Sequence, residues 1–331
     1  MVSAKRGLGL AFSFVQRSRP SSTAVPARAT PLVLVDGTSL VYRSFFAMPS
    51  FSRPADNGAH REVGALMGFC NTMMSLLLPF PPSPSEPTVV VLFDSSGPTF
   101  RDELFDRYKG QRPAPPKALG PQMDLAVAAC AAFGWPVFSA PGFEADDLIA
   151  TLSSTDRARP TAIIGSDKDL FQLVSDSVCV MCPSKKKLFT AADVREKFGV
   201  GPELMVDLQS LCGDSADNVV GVPGVGPVTA AALLREWGSL EGVLAAAQQN
   251  RVKQAKRRLA LVEHRESALL AKRLVTLRTD VPHHALVPAV GSHLQLRAMI
   301  EAPTFTNLGT AERFAEEQSL FAVARAIRRL T

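Results

Sequence analysis

The stretch Gly142–Leu148, GFEADDL, places three carboxylates, Glu144, Asp146 and Asp147, within four residues. Charge packed this densely repels itself unless a cation is bound, and a divalent metal ion is such a cation. Helical spacing puts Glu144 and Asp147 on one side and turns Asp146 away, so the three meet at one point only where the chain is still entering a helix. The apolar residues Leu148, Ile149 and Leu152 predict that this helix starts at about Asp147. Taken alone, the segment fits an acidic first helical turn, favoured by the helix dipole, equally well. Six further acids turn the reading toward a metal cluster.

Those acids follow the elements that must position them. Pro31–Val35 (PLVLV) and Thr88–Phe93 (TVVVLF) are apolar runs of buried-strand type, and they end at Asp36 and Asp94. Alone, Asp36 before Gly37 suits a plain turn. Two strands each delivering an acid point instead to the carboxyl edge of a sheet, where open α/β proteins bind ligands. A third strand, Pro160–Gly165, leads to Asp167 and Asp169, which share a side if extended. A helix over Pro202–Leu211 leads to GDSADN, where Asp214 and Asp217 would face together on a helical turn.

Between these acids lie basic and aromatic residues. Tyr42, Arg43, Phe45 and Phe46 recur at helical spacing, and Arg43 is placed to hold a phosphate. Phe100–Lys109 (FRDELFDRYK) is predicted to be an amphipathic helix passing into Arg112 and a proline-rich loop. Its aromatic and cationic residues suit a clamp over single-stranded nucleic acid, and an ordinary surface helix explains them as well. Gly221–Gly226 (GVPGVG), before a helix over Thr229–Trp237, presents backbone N–H groups at a helix N-terminus, a phosphate-binding arrangement. From Arg251 to Arg278 nine basic residues outnumber Glu263 and Glu266, a pattern shared by solvated helical faces and duplex-contacting ones. Other expected helices are Val63–Leu78 and Met123–Phe133. Pro136–Ser139 and Val178–Met181 are expected strands, the latter at an edge, and the chain beyond Val281 carries no clear pattern.

Composition bounds the rest. A chain of 331 residues, 46% hydrophobic, can bury one large core or two smaller ones, and no apolar run reaches membrane-spanning length. The first thirty residues hold Lys5, Arg6, Arg17, Arg19 and Arg28 and no acid, as an organelle transit peptide does. Those five residues equal the whole formal charge of +5, so the basic pI says nothing about nucleic acid. The five cysteines are odd in number and widely spaced, which implies no disulfide framework, and Cys179 and Cys182 read as buried strand residues.

In order, LVDG, VVVLFD, TFRDELFDRYKGQRP, GFEADD, GSDKD, GDSADN and GVPGVGPVTAAALL closely resemble the 5′-3′ exonuclease domain of bacterial DNA polymerase I, a branch of the flap endonuclease superfamily. The similarity covers residues 31 to about 282. It implies an α/β fold with a mostly parallel central sheet flanked by helices, a helical arch at about 98–122 and a helix-three-turn-helix DNA-binding subdomain. The implied organisation is a transit peptide over 1–30, a catalytic domain over 31–200, the DNA-binding subdomain over 201–290 and a tail over 291–331. No polymerase region follows, which implies a free-standing nuclease.

By the same resemblance the nine active-site acids fall on Asp36, Asp94, Glu144, Asp146, Asp147, Asp167, Asp169, Asp214 and Asp217. The family places one metal mainly on the acids matching Asp36, Asp94, Glu144 and Asp146, and the other mainly on Asp167, Asp169, Asp214 and Asp217. Asp146 and Asp167 count among the catalytic residues, with Lys109 and Arg112. Nine carboxylates without His or Cys favour two Mg2+ ions, with Mn2+ able to substitute. Ions about 4 Å apart can activate water and stabilise the leaving 3′ oxygen. Arg43, Arg101, Tyr108, Lys109, Arg112, Gly221, Gly224, Gly226 and Thr229 are the implied nucleic-acid contacts. Family members usually carry Lys where Val228 stands, so one phosphate contact is missing. The expected protein is a monomeric organellar nuclease acting on 5′ flaps, 5′ ends and RNA/DNA primer hybrids beside a polymerase and a ligase. Its rivals are a DNA-binding protein without catalysis and an RNase of the related PIN class.

Overall fold

A computed structural model describes residues 31–54, 60–77, 87–288 and 307–329. The proposed transit peptide and most of the proline-rich connector Pro79–Pro87 lie outside the described residues. A seven-stranded sheet runs in the order β8-β7-β6-β1-β4-β5-β9, with β1 Leu32–Asp36, β4 Thr88–Leu92, β5 Val137–Ser139, β6 Thr161–Ile164, β7 Val178–Cys182, β8 Lys187–Phe189 and β9 Val287–Pro288. The five strands from β7 to β5 are parallel, and β8 and β9 close the edges antiparallel. A separate hairpin pairs β2 Ser52–Pro54 with β3 His60–Glu62.

Near-continuous apolar strands need cover on both faces, and both faces have it. Alternation along β1, β4 and β6 sends Leu32, Leu34, Val90, Leu92 and Ile163 to one face, with Leu148, Ile149 and Leu152 of the helix Ala145–Thr155 and the helices after residue 204. Val33, Val35, Val89, Val91, Ala162 and Ile164 face the other way, onto the helices Gly37–Ala47, Gly64–Leu77 and Leu119–Phe133. That second face is completed by two helices absent from the sequence expectation, Leu308–Glu317 and Phe321–Arg328, which contribute Ala311, Ala315, Val323, Ala324 and Ile327. From β1 the chain moves outward through β4 and β5, then returns to place β6 on the other side of β1. The switch point at the carboxyl end of β1 is where such sheets open a crevice, and Asp36 ends β1 there.

The C-terminal helices Met205–Cys212, Pro227–Trp237, Leu240–Gln248, Ala255–Glu263 and Arg265–Val275 pack around Leu208, Leu211, Leu233, Leu234, Leu244 and Leu261. Two expectations are corrected. Strand β7 is internal, with β8 outside it. The proposed helix Phe100–Lys109 is helical only over Phe100–Leu104, because the backbone becomes extended at Phe105 and turns Leu104, Phe105 and Tyr108 onto Val219, Leu274 and Val275. The stretch then passes through Lys109 at φ 52°, in the left-handed region.

Candidate active site

Asp36 is the N-cap of the helix Gly37–Ala47 and accepts from the Ser39 amide (2.9 Å). Asp94, past β4, accepts from the Ala145 amide (2.8 Å), which ties it to the start of the helix Ala145–Thr155. Asp167 accepts from the Asp169 amide (3.0 Å) in the loop after β6. Asp214 accepts from the Ala216 amide (3.0 Å). The expected helical turn around Asp214 and Asp217 is instead a loop closed by an Asp214–Val219 bridge, because the helix before it stops at Gly213. The two acids still converge: one carboxylate oxygen each from Asp169, Asp214 and Asp217 lies within 4.8 Å of the others.

Asp146 occupies the centre. Burial and the charges of Asp36, Asp167, Asp169 and Asp94 hold its carboxyl well above the usual range. One of its oxygens, Oδ1, is buried without a hydrogen-bond partner. Burial, followed by Asp94, pushes Asp36 up to about 7, and burial with Asp167 raises Asp169 despite a hydrogen bond from Gln209. An orphaned buried oxygen among hard carboxylate donors that resist ionising together fits a divalent cation. Asp36, Asp94, Asp146, Asp167, Asp169, Asp214 and Asp217 are the residues that could hold it, with Glu144 beside them.

Asp147 departs from the expectation. It points away from Asp146, is fully buried, and pairs bidentately with Arg101 at 2.7 and 2.8 Å. Helical geometry is the reason: consecutive residues in the first turn diverge, and Asp147 instead closes a capping box on the Glu144 amide (3.1 Å). Arg101 is corrected with it. The residue is 1% exposed, so its guanidinium does not reach a surface phosphate.

Residues 107–112 lie on the loop after Gly213 rather than standing free as an arch. The Lys109 amide donates to the Asp217 carbonyl (3.0 Å), Asn218 donates to the Arg107 carbonyl (2.7 Å), and Gln111 reaches the Ser215 carbonyl (2.9 Å). Tyr108 is buried, not placed for base stacking, and its hydroxyl joins Glu144 (3.2 Å) to Asp217 (3.1 Å). Lys109 pairs with Glu144, and Arg112 with Asp217. Burial outweighs the Lys109 charge and raises the Glu144 carboxyl. Two contributors were missed in the sequence: Lys168, 3.0 Å from Asp214, and Gln209, which donates to Asp169. Lys168 sits inside GSDKD and its charge was a legible signal; Gln209 carries none.

In the hairpin, Gly224 adopts φ 78° and Gly226 caps the helix Pro227–Trp237 with no side chain over its first turn. Gly221 serves a different purpose, since a Cβ there would overlap the Gly213 backbone. Thr229 is half-buried, Val228 is 84% exposed, and Arg43 is exposed on its helix.

Residues 31–199 match the 5′-3′ exonuclease N-terminal resolvase-like domain, and residues 200–293 match the 5′-3′ exonuclease C-terminal SAM fold. DNA polymerase I of Rhizobium leguminosarum is 44% identical over 256 residues, 76% of this chain and 25% of that protein. A 5′-3′ exonuclease of Aquifex aeolicus is 39% identical over 215 residues, 64% of this chain and 72% of that protein. Among solved structures, a T5 flap endonuclease in complex with DNA and metal ions superposes with a TM-score of 0.60 at 23% identity, over 87% of this chain and 99% of that chain. The chain thus spans about a quarter of the length of the polymerase relative and most of the free-standing exonuclease. With its acids gathered at the switch point and both family domains matched in order, the chain belongs to the 5′-3′ exonuclease family.

Proposed function

We propose that this protein hydrolyses phosphodiester bonds at 5′ ends and 5′-flap junctions of DNA, and of RNA primers annealed to it, with Mg2+ or Mn2+ held by the carboxylate cluster. The observation that carries the reading is Asp146, whose partnerless buried oxygen faces four more acids at the sheet's switch point. Bound there, the divalent ions would supply Lewis acidity toward a phosphodiester. The chain's own residues do the remainder. Lys109 and Arg112 bring positive charge to the rim of the cleft, where they can orient a phosphate that displaces Glu144 and Asp217 from them. The Gly221–Gly226 hairpin leaves the Val228 and Thr229 amides uncapped at a helix N-terminus, which suits a duplex backbone. The acid-free, basic first thirty residues support an organellar site of action, with a polymerase and a ligase as functional neighbours.

The test is incubation of the purified chain with a 5′-labelled flap duplex in Mg2+, in Mn2+ and in EDTA, beside an Asp167→Ala variant and with single-stranded RNA as competitor substrate. Metal-dependent cutting at the flap junction, lost in the variant, is the expected result. Preference for the RNA would replace the reading with an RNase, and binding without cutting in either metal would replace it with a binding module. Residues 1–30 fused to a fluorescent reporter should direct it to an organelle, and a uniformly cytosolic signal would remove that part of the proposal.

A further inference from the structure

We infer that Arg101 and Asp147 form a positioning pair that ties the orientation of Glu144 to the seating of the C-terminal helices, an inference that rests on the nuclease reading above. Every polar contact of the pair is directed inward. Arg101 gives Nη1 and Nη2 to the two oxygens of Asp147, Nε to the Leu274 carbonyl (2.8 Å) and Nη2 also to the Thr276 carbonyl (3.5 Å). Its Nη1 stands 3.4 Å from Oε2 of Glu144. Asp147 in turn accepts from the amides of Glu144 (3.1 Å) and Arg278 (2.9 Å). Four donors on two oxygens leave Asp147 nothing to offer a metal ion, and Arg101 is buried away from any phosphate.

A buried ion pair stands against its desolvation cost only when its remaining hydrogen bonds are made, and here they are. What those bonds join is specific. One end is the backbone and carboxylate of Glu144 at the rim of the acidic cluster; the other is the chain leaving the helix Arg265–Val275. A shift of that exit would be passed to Asp147 through the Arg278 amide, and Asp147 holds the Glu144 amide nitrogen, which is bonded to the Cα that carries the Glu144 side chain. Arg101 is suited to this because only a planar fork makes the bidentate pair and the Leu274 contact together.

The experiment uses the full chain and four variants: R101Q, R101K, D147N and the double variant R101Q/D147N. Mn2+ binding is measured by electron paramagnetic resonance, affinity for a 5′-flap duplex in EDTA by filter binding, and turnover at saturating Mn2+ by gel. R101Q and D147N should each weaken Mn2+ binding about tenfold, the lower end for residues that orient metal ligands. Turnover should fall with it, duplex affinity should change by less than about twofold, and the double variant should be no worse than the weaker single. R101K should recover only part of the loss, and it carries the comparison should R101Q fail to fold. Weakened duplex binding in R101Q with Mn2+ binding intact would make Arg101 a phosphate contact. Loss of Mn2+ binding in D147N but not in R101Q would make Asp147 a ligand. Either result overturns the pair. Failure of the wild-type chain to cut the flap would sink the nuclease reading while leaving the Mn2+ measurements to judge the pair by themselves.

Discussion

Asp36, Asp94, Asp146, Asp167 and Asp169 face one another with no cationic side chain paired to them among the described residues, whereas Glu144, Asp147, Asp214 and Asp217 meet Lys109, Arg101, Lys168 and Arg112. The two groups share one cleft and one residue chemistry. What separates them is the origin of the compensating charge. The first lies at strand ends, in the loop after β6 and at a helix start, where backbone amides hold Asp36, Asp94 and Asp167 and the Gln209 side chain holds Asp169, all without neutralising them. The second lies where side chains from the 101–112 segment and Lys168 reach in. A cation from solution is therefore most needed by the first group, and the second already has cations, of which Lys109, Arg112 and Lys168 are the ones that DNA phosphates can compete for.

The comparison breaks most visibly at Asp146. Replacing it with Asn removes the central charge and should lower flap cleavage by more than about 100-fold, the upper end for changes in metal-orienting partners. A variant that retains most activity at saturating Mn2+ would show that the first group is not the metal side. A smaller effect is expected from Lys109→Met. Removing the cation beside Glu144 should tighten Mn2+ binding while turnover drops about tenfold, and unchanged turnover would reduce Lys109 to a counter-ion. The smallest effect concerns stability without metal. The Asp36 carboxyl ordinarily loses its proton near 3.8 and in the folded chain near 7, so the folded state keeps a proton that the unfolded state has released between those values. The stability this supplies is present below about pH 4 and is lost as pH rises toward 7. In EDTA, Asp36→Asn should raise the melting point at pH 8 by the equivalent of roughly 1–3 kcal/mol and leave it nearly unchanged at pH 4. A variant no more stable at pH 8 than the wild type would remove the cost of ionising a buried Asp36 beside Asp94 from the account.

The sheet and the acids Asp36, Asp94, Asp167 and Asp169 were legible because parallel strands announce themselves: a run such as TVVVLF reads as buried, and the acid that follows it lies toward the carboxyl edge. The fate of Asp147 was not, since two adjacent acids at a helix start are indistinguishable until the neighbour that claims one of them, Arg101, is known, and that neighbour is 46 residues away. The same holds for Tyr108, whose helical spacing in sequence conceals a chain that stops being helical at Phe105. The two final helices were missed although their apolar residues recur at helical spacing, Leu308, Ala311 and Ala315 in one and Leu320, Val323, Ala324 and Ile327 in the other, because they lie beyond the stretch that the family motifs cover.

The close approach of Gly213 and Gly221, backbone against backbone, has a metric consequence. Gly213 precedes Asp214 and Gly221 opens the hairpin, so the place where a duplex would be held and the place where its strand would be cut are separated by a fixed span with no side chain to compress. In the proposed nuclease the pair would act as a ruler. A duplex seated on the hairpin would present the same bond to the acids on every encounter, and cleavage would fall at one nucleotide rather than over several.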